Sequence, residues 1–204
     1  MLEQLKLFWH RWQTRRKMNR VFGRGRDPYD YASNPYEVAR LEGMLKALGS
    51  ELGSVLEIGA AEGFFTRRLV ESGRQVTSLE LSPVALARAQ EAAPGAQLIE
   101  ADVRTWEPGR TFNAVVCGDV LYYMDKPMVR EEFAAVFPRI ASWVTRGGLL
   151  MLAHGFAGER EREIRQGYRE RFEKLGFTLE DEHVVGEAKQ DGDVCCLISV
   201  LRRD

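Results

Sequence analysis

The sequence predicts an α/β fold: a seven-stranded, mostly parallel sheet whose last strand runs antiparallel, preceded by an extra N-terminal helical segment. Three observations carry this expectation. From residue 54 onward, short runs of Val, Leu and Ile alternate with helical patterns, as in parallel strands joined by helices that cover both faces. The first of these runs leads directly into Gly59-Ala60-Ala61-Glu62-Gly63, a turn of small residues that opens a helix. The last two strand patterns are joined by a polar turn at 186–192, which makes them antiparallel neighbours. At 204 residues, 45% hydrophobic and 29% charged, the chain has the size and composition of one soluble domain with its own core.

The elements follow in order. Residues 1–22 form a helix with Leu2, Leu5, Phe8, Trp9 and Trp12 on one side and Lys6, Arg11, Arg15 and Arg16 largely elsewhere. Residues 1–26 hold eight Lys or Arg against Glu3, a charge of +7, so with a total of −1 the rest of the chain carries −8. An acidic domain (27–204) thus follows a basic helix and linker (1–26). Three partners suit such a helix: its own domain or a second subunit, a membrane surface met peripherally, or RNA, the least expected of the three. Asn34-Pro35-Tyr36-Glu37 starts a second helix, with Asn34 as cap, Pro35 in the first position and Glu37 placed to close a capping box. It runs to about Leu48, with Val38, Leu41, Leu45 and Leu48 on one face, and ends at Gly49.

Strands are expected at 54–58, 75–81, 96–100, 112–117 and 149–153, the last entered through Gly147-Gly148. Helices are expected at 63–71, from Ser82-Pro83 to about 93, from Lys126-Pro127 to 144, and at 159–174. The closing strands are 177–185 and 193–201. No apolar run approaches the roughly 18–20 residues of a membrane span. Glu3, Gln4 and Lys6 interrupt any signal-peptide core, so a cytoplasmic location is expected. Cys117, Cys195 and Cys196 have no metal-ligand spacing and read as reduced, buried strand residues, and no metal site is expected.

In open α/β sheets the ligand sits beyond the carboxyl ends of the strands, and the loop after the first strand is the usual place. For a dinucleotide the loop should read Gly-x-Gly-x-x-Gly, yet from Gly59 the second position is Ala61 and the third is Phe64. A Phe there holds the helix away from the strand. The motif present is Glu57-x-Gly59-x-x-x-Gly63, followed by Glu80 at the end of the second strand and Asp102 after the third. A carboxylate where Glu80 stands accepts both ribose hydroxyls of a nucleoside.

This pattern resembles motif I of the class I S-adenosylmethionine-dependent methyltransferases, a Rossmann-like fold. The resemblance implies S-adenosylmethionine as cofactor, with Gly59, Ala60 and Gly63 under its methionine part, Glu57 ordering the loop, and Asp102 accepting from the adenine amino group. The implied cofactor set is completed by Ala61, Phe65, Leu81, Val103, Gly118 and Tyr31. Asp119-Val120-Leu121-Tyr122-Tyr123 resembles motif IV. Together with Asp27-Pro28 and Asn34-Pro35-Tyr36-Glu37 it is most similar to the nodulation-type (NodS-like) N-methyltransferases, which methylate an amino group of a chitin-like oligosaccharide. Asn34-Pro35-Tyr36 also resembles the Asn-Pro-Pro-Tyr loop of DNA adenine methyltransferases, but it lacks one proline and stands at a helix start.

Such an enzyme aligns a neutral acceptor with the methyl group or removes its proton. Asp119, Tyr122, Tyr123 and His154 are the catalytic candidates, His154 because it directly follows the fifth strand and imidazole titrates near neutrality. The family implies an N-terminal lid at about 26–36, with Tyr29, Tyr31 and Arg40 near the methionine end or the acceptor. The expected acceptor is an amine or hydroxyl of a small molecule, such as an amino sugar or oligosaccharide. A macromolecular or membrane-bound acceptor recruited by the basic helix, and a non-catalytic cofactor-binding scaffold, stand as alternatives.

Overall fold

Seven strands form one sheet in the order β3-β2-β1-β4-β5-β7-β6. The computed structural model describes residues 2–50, 53–187 and 193–204, with side chains from residue 5. β1 (Ser54–Ile58) pairs in parallel with β2 (Gln75–Glu80) on one side and β4 (Phe112–Gly118) on the other. β3 (Gln97–Glu100) lies outside β2, and β5 (Val144–Phe156) lies outside β4. β7 (Cys195–Arg203) runs antiparallel between β5 and β6 (Phe177–Val185). The chain thus winds away from β1 to β3 and returns to β4 on the opposite side. That reversal opens a crevice at the carboxyl ends of β1 and β4.

Successive strand residues face opposite layers, so the sheet separates two cores. On one face Leu56, Ile58, Val115, Cys117, Leu150 and Leu152 pack against α6 (Arg130–Trp143) and α7 (Glu159–Glu173) through Phe133, Phe137, Ile140 and Phe172. On the other, Val55, Val116, Met151, Ala153 and Ile198 meet α2 (Pro35–Ala47) and α3 (Phe64–Glu71) through Leu41, Met44, Phe65 and Leu69. Each fully buried aliphatic or aromatic side chain contributes about 1.5–3 kcal/mol. α4 (Pro83–Ala92) closes against the turn after β1: a Cβ on Gly63 would lie 2.9 Å from the Ala89 Cα.

The structure departs from expectation in four places. Gly147-Gly148 lies inside β5 rather than before it. The register passes from Phe112↔Val144 to Ala114↔Leu149, and Gly147, at φ +71°, absorbs the resulting bulge. A one-turn helix, α5 (Leu121–Met124), follows β4, and Lys126-Pro127 opens a 3-10 turn that precedes α6. Asn34 caps α2 as expected, its Oδ1 accepting from the Tyr36 N–H at 3.0 Å. Glu37 closes no box, because the Asn34 N–H donates to the Asp30 carbonyl and the Glu37 carboxylate takes the Arg40 guanidinium. β7 starts at Cys195 and extends to Arg203. Residues 188–192 of the polar turn lie outside the described residues, as does the side chain of Leu2.

α1 (Leu2–Phe22) packs on its own domain, one of the partners expected for it, through the face opposite its aromatic stripe. His10 and Phe22 are buried, Arg11 pairs with Glu132, and Arg15 pairs with Glu100. Opposite charge on the acidic domain selects this face.

Candidate active site

A cavity of about 400 Å³ lies at the carboxyl ends of β1 to β4, under α1 and the linker that follows it. Its floor is backbone. The Gly59 and Ala60 N–H groups both donate to the Leu79 carbonyl at 2.9 Å, which folds the loop over the tip of β2. Gly59 holds φ +91°, and a Cβ there would stand 2.5 Å from the Val120 Cγ2. Ala61, also left-handed at φ +47°, donates its N–H to Glu80 at 2.8 Å. Gly59, Ala61 and Gly118 line the cavity.

Two carboxylates with different environments stand at the tips of β2 and β3. Glu80 is 6% exposed and accepts from the Ala61 and Ser82 N–H groups; burial outweighs these bonds and pushes it up to about 7. Asp102 is half-buried, and against that desolvation the Arg104 guanidinium and backbone N–H bond its two oxygens and hold it below the ordinary carboxylate range. Arg104 also donates to His10 Nδ1 at 2.9 Å and lies 3.8 Å from Glu132. Guanidinium is only a donor, so His10 must accept as a neutral ring, and burial together with Arg104 lowers its pKa. Leu81 and Val103 complete this wall.

The other end is acidic and aromatic. Asp119, at φ +52°, follows β4; its Oδ1 accepts from the Gly155 N–H at 2.7 Å and its Oδ2 stands 3.1 Å from Arg40. Arg40 is 4% exposed and also binds Glu37 at 2.8 Å, so α2 holds the Asp119 carboxylate in place. Tyr122 and Tyr123 lie with ring centroids 4.6 Å apart, and Tyr29 and Tyr31 at 5.6 Å. Burial raises Tyr29, Tyr31 and Tyr122 well above the ordinary phenol range, so they remain donors at neutral pH. Arg165 lies 4.7 Å from the Tyr122 ring centroid. Asp27 bonds the Tyr31 and Ala32 N–H groups, and its own N–H donates to the buried Glu62 at 2.5 Å, which pins the linker to the turn after β1.

Of the residues singled out by sequence, Gly59, Ala61, Glu80, Leu81, Asp102, Val103, Gly118, Asp119, Tyr31, Tyr122 and Tyr123 come together around the cavity. Glu57, Ala60 and Phe65 instead line a smaller crevice behind the loop, shared with Arg40. There Glu57 accepts from the Thr66 and Ser78 hydroxyls at 2.6 and 2.7 Å, and burial pushes it up to about 7. Gly63 packs on Ala89 and reaches neither space.

His154 requires a correction. It lies within β5, not after it, and is 2% exposed. Its Nε2 accepts from the Leu121 N–H at 3.4 Å, its ring packs between Tyr122 and Tyr168, and burial lowers it to about 4. The ring supports α5 and does not face the cavity. Among the lining residues not foreseen are Thr14, Met18 and Phe22 of α1, Arg104, Phe156, and Glu161 and Arg165 of α7. Thr14, Met18 and Phe22 are spaced four apart, a second stripe of α1 overshadowed by the aromatic one.

The NodS family model, Nodulation protein S, matches residues 15–153. Nodulation protein S of Azorhizobium caulinodans is 37% identical over 103 residues, 48% of this chain and 50% of that one. That of Sinorhizobium fredii is 31% identical over 104 residues, 48% of each. The chain thus spans about half the length of the curated relatives it matches. Among solved structures, N-methyltransferase NodS from Bradyrhizobium japonicum WM9, crystallised with S-adenosyl-L-homocysteine, superposes with a TM-score of 0.79. The match covers 93% of this chain and 98% of that one, at 21% identity, a likeness of fold.

Proposed function

This chain belongs to the NodS family, and on that premise we propose that it is an S-adenosylmethionine-dependent methyltransferase acting on an amine of a small molecule. The observation that carries the reading is one cavity joining Glu80 and Asp102 at one end to Asp119 and the tyrosines at the other, across bare backbone at Gly59 and Gly118. Each Glu80 oxygen accepts one backbone N–H and keeps lone-pair capacity for a ribose hydroxyl. Asp102, held ionised by Arg104, keeps capacity for an adenine amino group. The Phe64 side chain stands where a dinucleotide loop needs Gly or Ala.

When bound, the cofactor supplies an electrophilic methyl group on a sulfonium with a neutral thioether as leaving group. The protein aligns and shields. Asp119, fixed by Gly155 and Arg40, accepts an N–H of the neutral amine and aims its lone pair inward. The faces of Tyr29, Tyr122 and Tyr123 favour the cationic product. Burial of His154, and the raised pKa values of Tyr29 and Tyr122, argue against these groups as the base. The resemblance to enzymes that methylate a chitin-like oligosaccharide makes an amino sugar with a free amine the first acceptor to test.

The experiment pairs calorimetry with S-adenosylhomocysteine and transfer of labelled methyl to free-amine and N-acetylated chitooligosaccharides. Binding together with label on the free-amine acceptors alone is the expected result. Absence of cofactor binding would overturn the reading, and binding without transfer to amines from a metabolite extract would make the chain a scaffold.

A further inference from the structure

The face of α1 turned away from the domain carries Leu5, Phe8, Trp9 and Trp12, between 42% and 66% exposed. Trp9 and Trp12 stack edge to face at 5.3 Å, and the Arg16 guanidinium lies 5.0 Å from the Trp12 ring. Lys6, Arg16 and Arg20 are exposed beside them and, among the described residues, form no ion pair. Residues 5–26 contain no Asp or Glu. Large apolar side chains ringed by uncompensated cations form a surface that lacks its counter-charge. Two copies of this face would set cation against cation, whereas anionic headgroups supply the missing charge and the acyl boundary takes the rings.

We propose that the outward face of α1 docks the protein on an anionic lipid surface. The helix is not long and apolar enough to cross a membrane, so it lies in the plane of the interface. It need not leave the domain to do so. Its inner face stays held by Arg11–Glu132 and Arg15–Glu100 while Thr14 and Met18 line the cavity, so attachment brings the cavity close to the lipid.

The test is flotation of the full chain with phosphatidylcholine vesicles, with and without phosphatidylglycerol. Binding to the anionic vesicles alone is expected, weakened by salt at about 0.5 M. Emission from Trp9 and Trp12 should shift to the blue, since Trp143 is already buried and Trp106 packs against it. Trp9→Ser with Trp12→Ser should lower binding at least tenfold. Arg16→Gln and Arg20→Gln should each lower it roughly fivefold, and they carry the test if the serine variant unfolds at a lower temperature than the parent. Equal binding to both vesicle types, no binding, or a dimer abolished by the serine substitutions without vesicle binding would overturn the proposal.

Discussion

At the β1–β3 end of the cavity, the lining groups come from residues 58–104, one run of strands, turns and helices, held by backbone geometry and, at Asp102, by the neighbouring Arg104 guanidinium. At the β4 end they come from α1, the linker, α2, β4, α5, β5 and α7, often one or two side chains each, held by ion pairs and ring contacts. The first end is a local structure that happens to face a cavity. The second exists only when distant elements dock. On the proposed reading, a site built both ways would keep its cofactor geometry constant while its acceptor geometry depends on how the distant elements dock.

The largest expected effect breaks the boundary between the two ends. Arg104→Met leaves the half-buried Asp102 without its cation and Glu132 with Arg11 alone, a loss of about 1–3 kcal/mol of stability, read as a lowered Tm and faster proteolysis in the linker after α1. An unchanged Tm would mean that α1 docks independently of the β3 tip. Gly59→Ala is of similar size: the left-handed backbone alone costs about 1–3 kcal/mol, and the contact with Val120 adds to it. Calorimetric binding of S-adenosylhomocysteine should vanish, and retained affinity would show that the loop tolerates a side chain.

Asp119→Asn sharpens the contrast. Turnover should fall roughly ten- to hundredfold, as for loss of one charged hydrogen bond, with cofactor affinity nearly unchanged; an equal loss in both would merge the two ends into one. For Glu80, pushed up to about 7, the carboxylate is ionised above that pH and protonated below it. Cofactor affinity should therefore rise as pH passes upward through about 7. Glu80→Gln should lower it about tenfold, the value of a net hydrogen bond of ~1.4 kcal/mol, and remove the pH step. The smallest effect is at His10, whose lowered pKa makes the neutral ring the folded form. Its contribution is complete above about pH 6.5, the unfolded value, and is lost as pH falls from there through the folded value. A Tm difference between parent and His10→Asn that narrows on acidification is the expected signature.

Much of the fold was legible because strand and helix periods are local. The same holds for Gly59, Glu80 and Asp102, whose spacing follows from strand length and turn. His154 was misplaced by a boundary: Leu149–Ala153 read as a complete strand, but pairing with β7 carries β5 on to Phe156 and buries the ring. The α1 stripe was visible and its use was not. Apolar periodicity suggests which face to bury, yet here ion pairs with Glu100 and Glu132, far along the chain, turned the other face inward.

The sequence by itself determined the sheet, the loop after β1 and the carboxylates at its side, because each depends on neighbours within a few residues or on a period. Only the tertiary structure decided that Arg104 ties Asp102 to His10, that Arg40 clamps Asp119, and which face of α1 meets the solvent. Those outcomes rest on charges brought together across many residues of chain, where docking geometry rather than local pattern selects the partner.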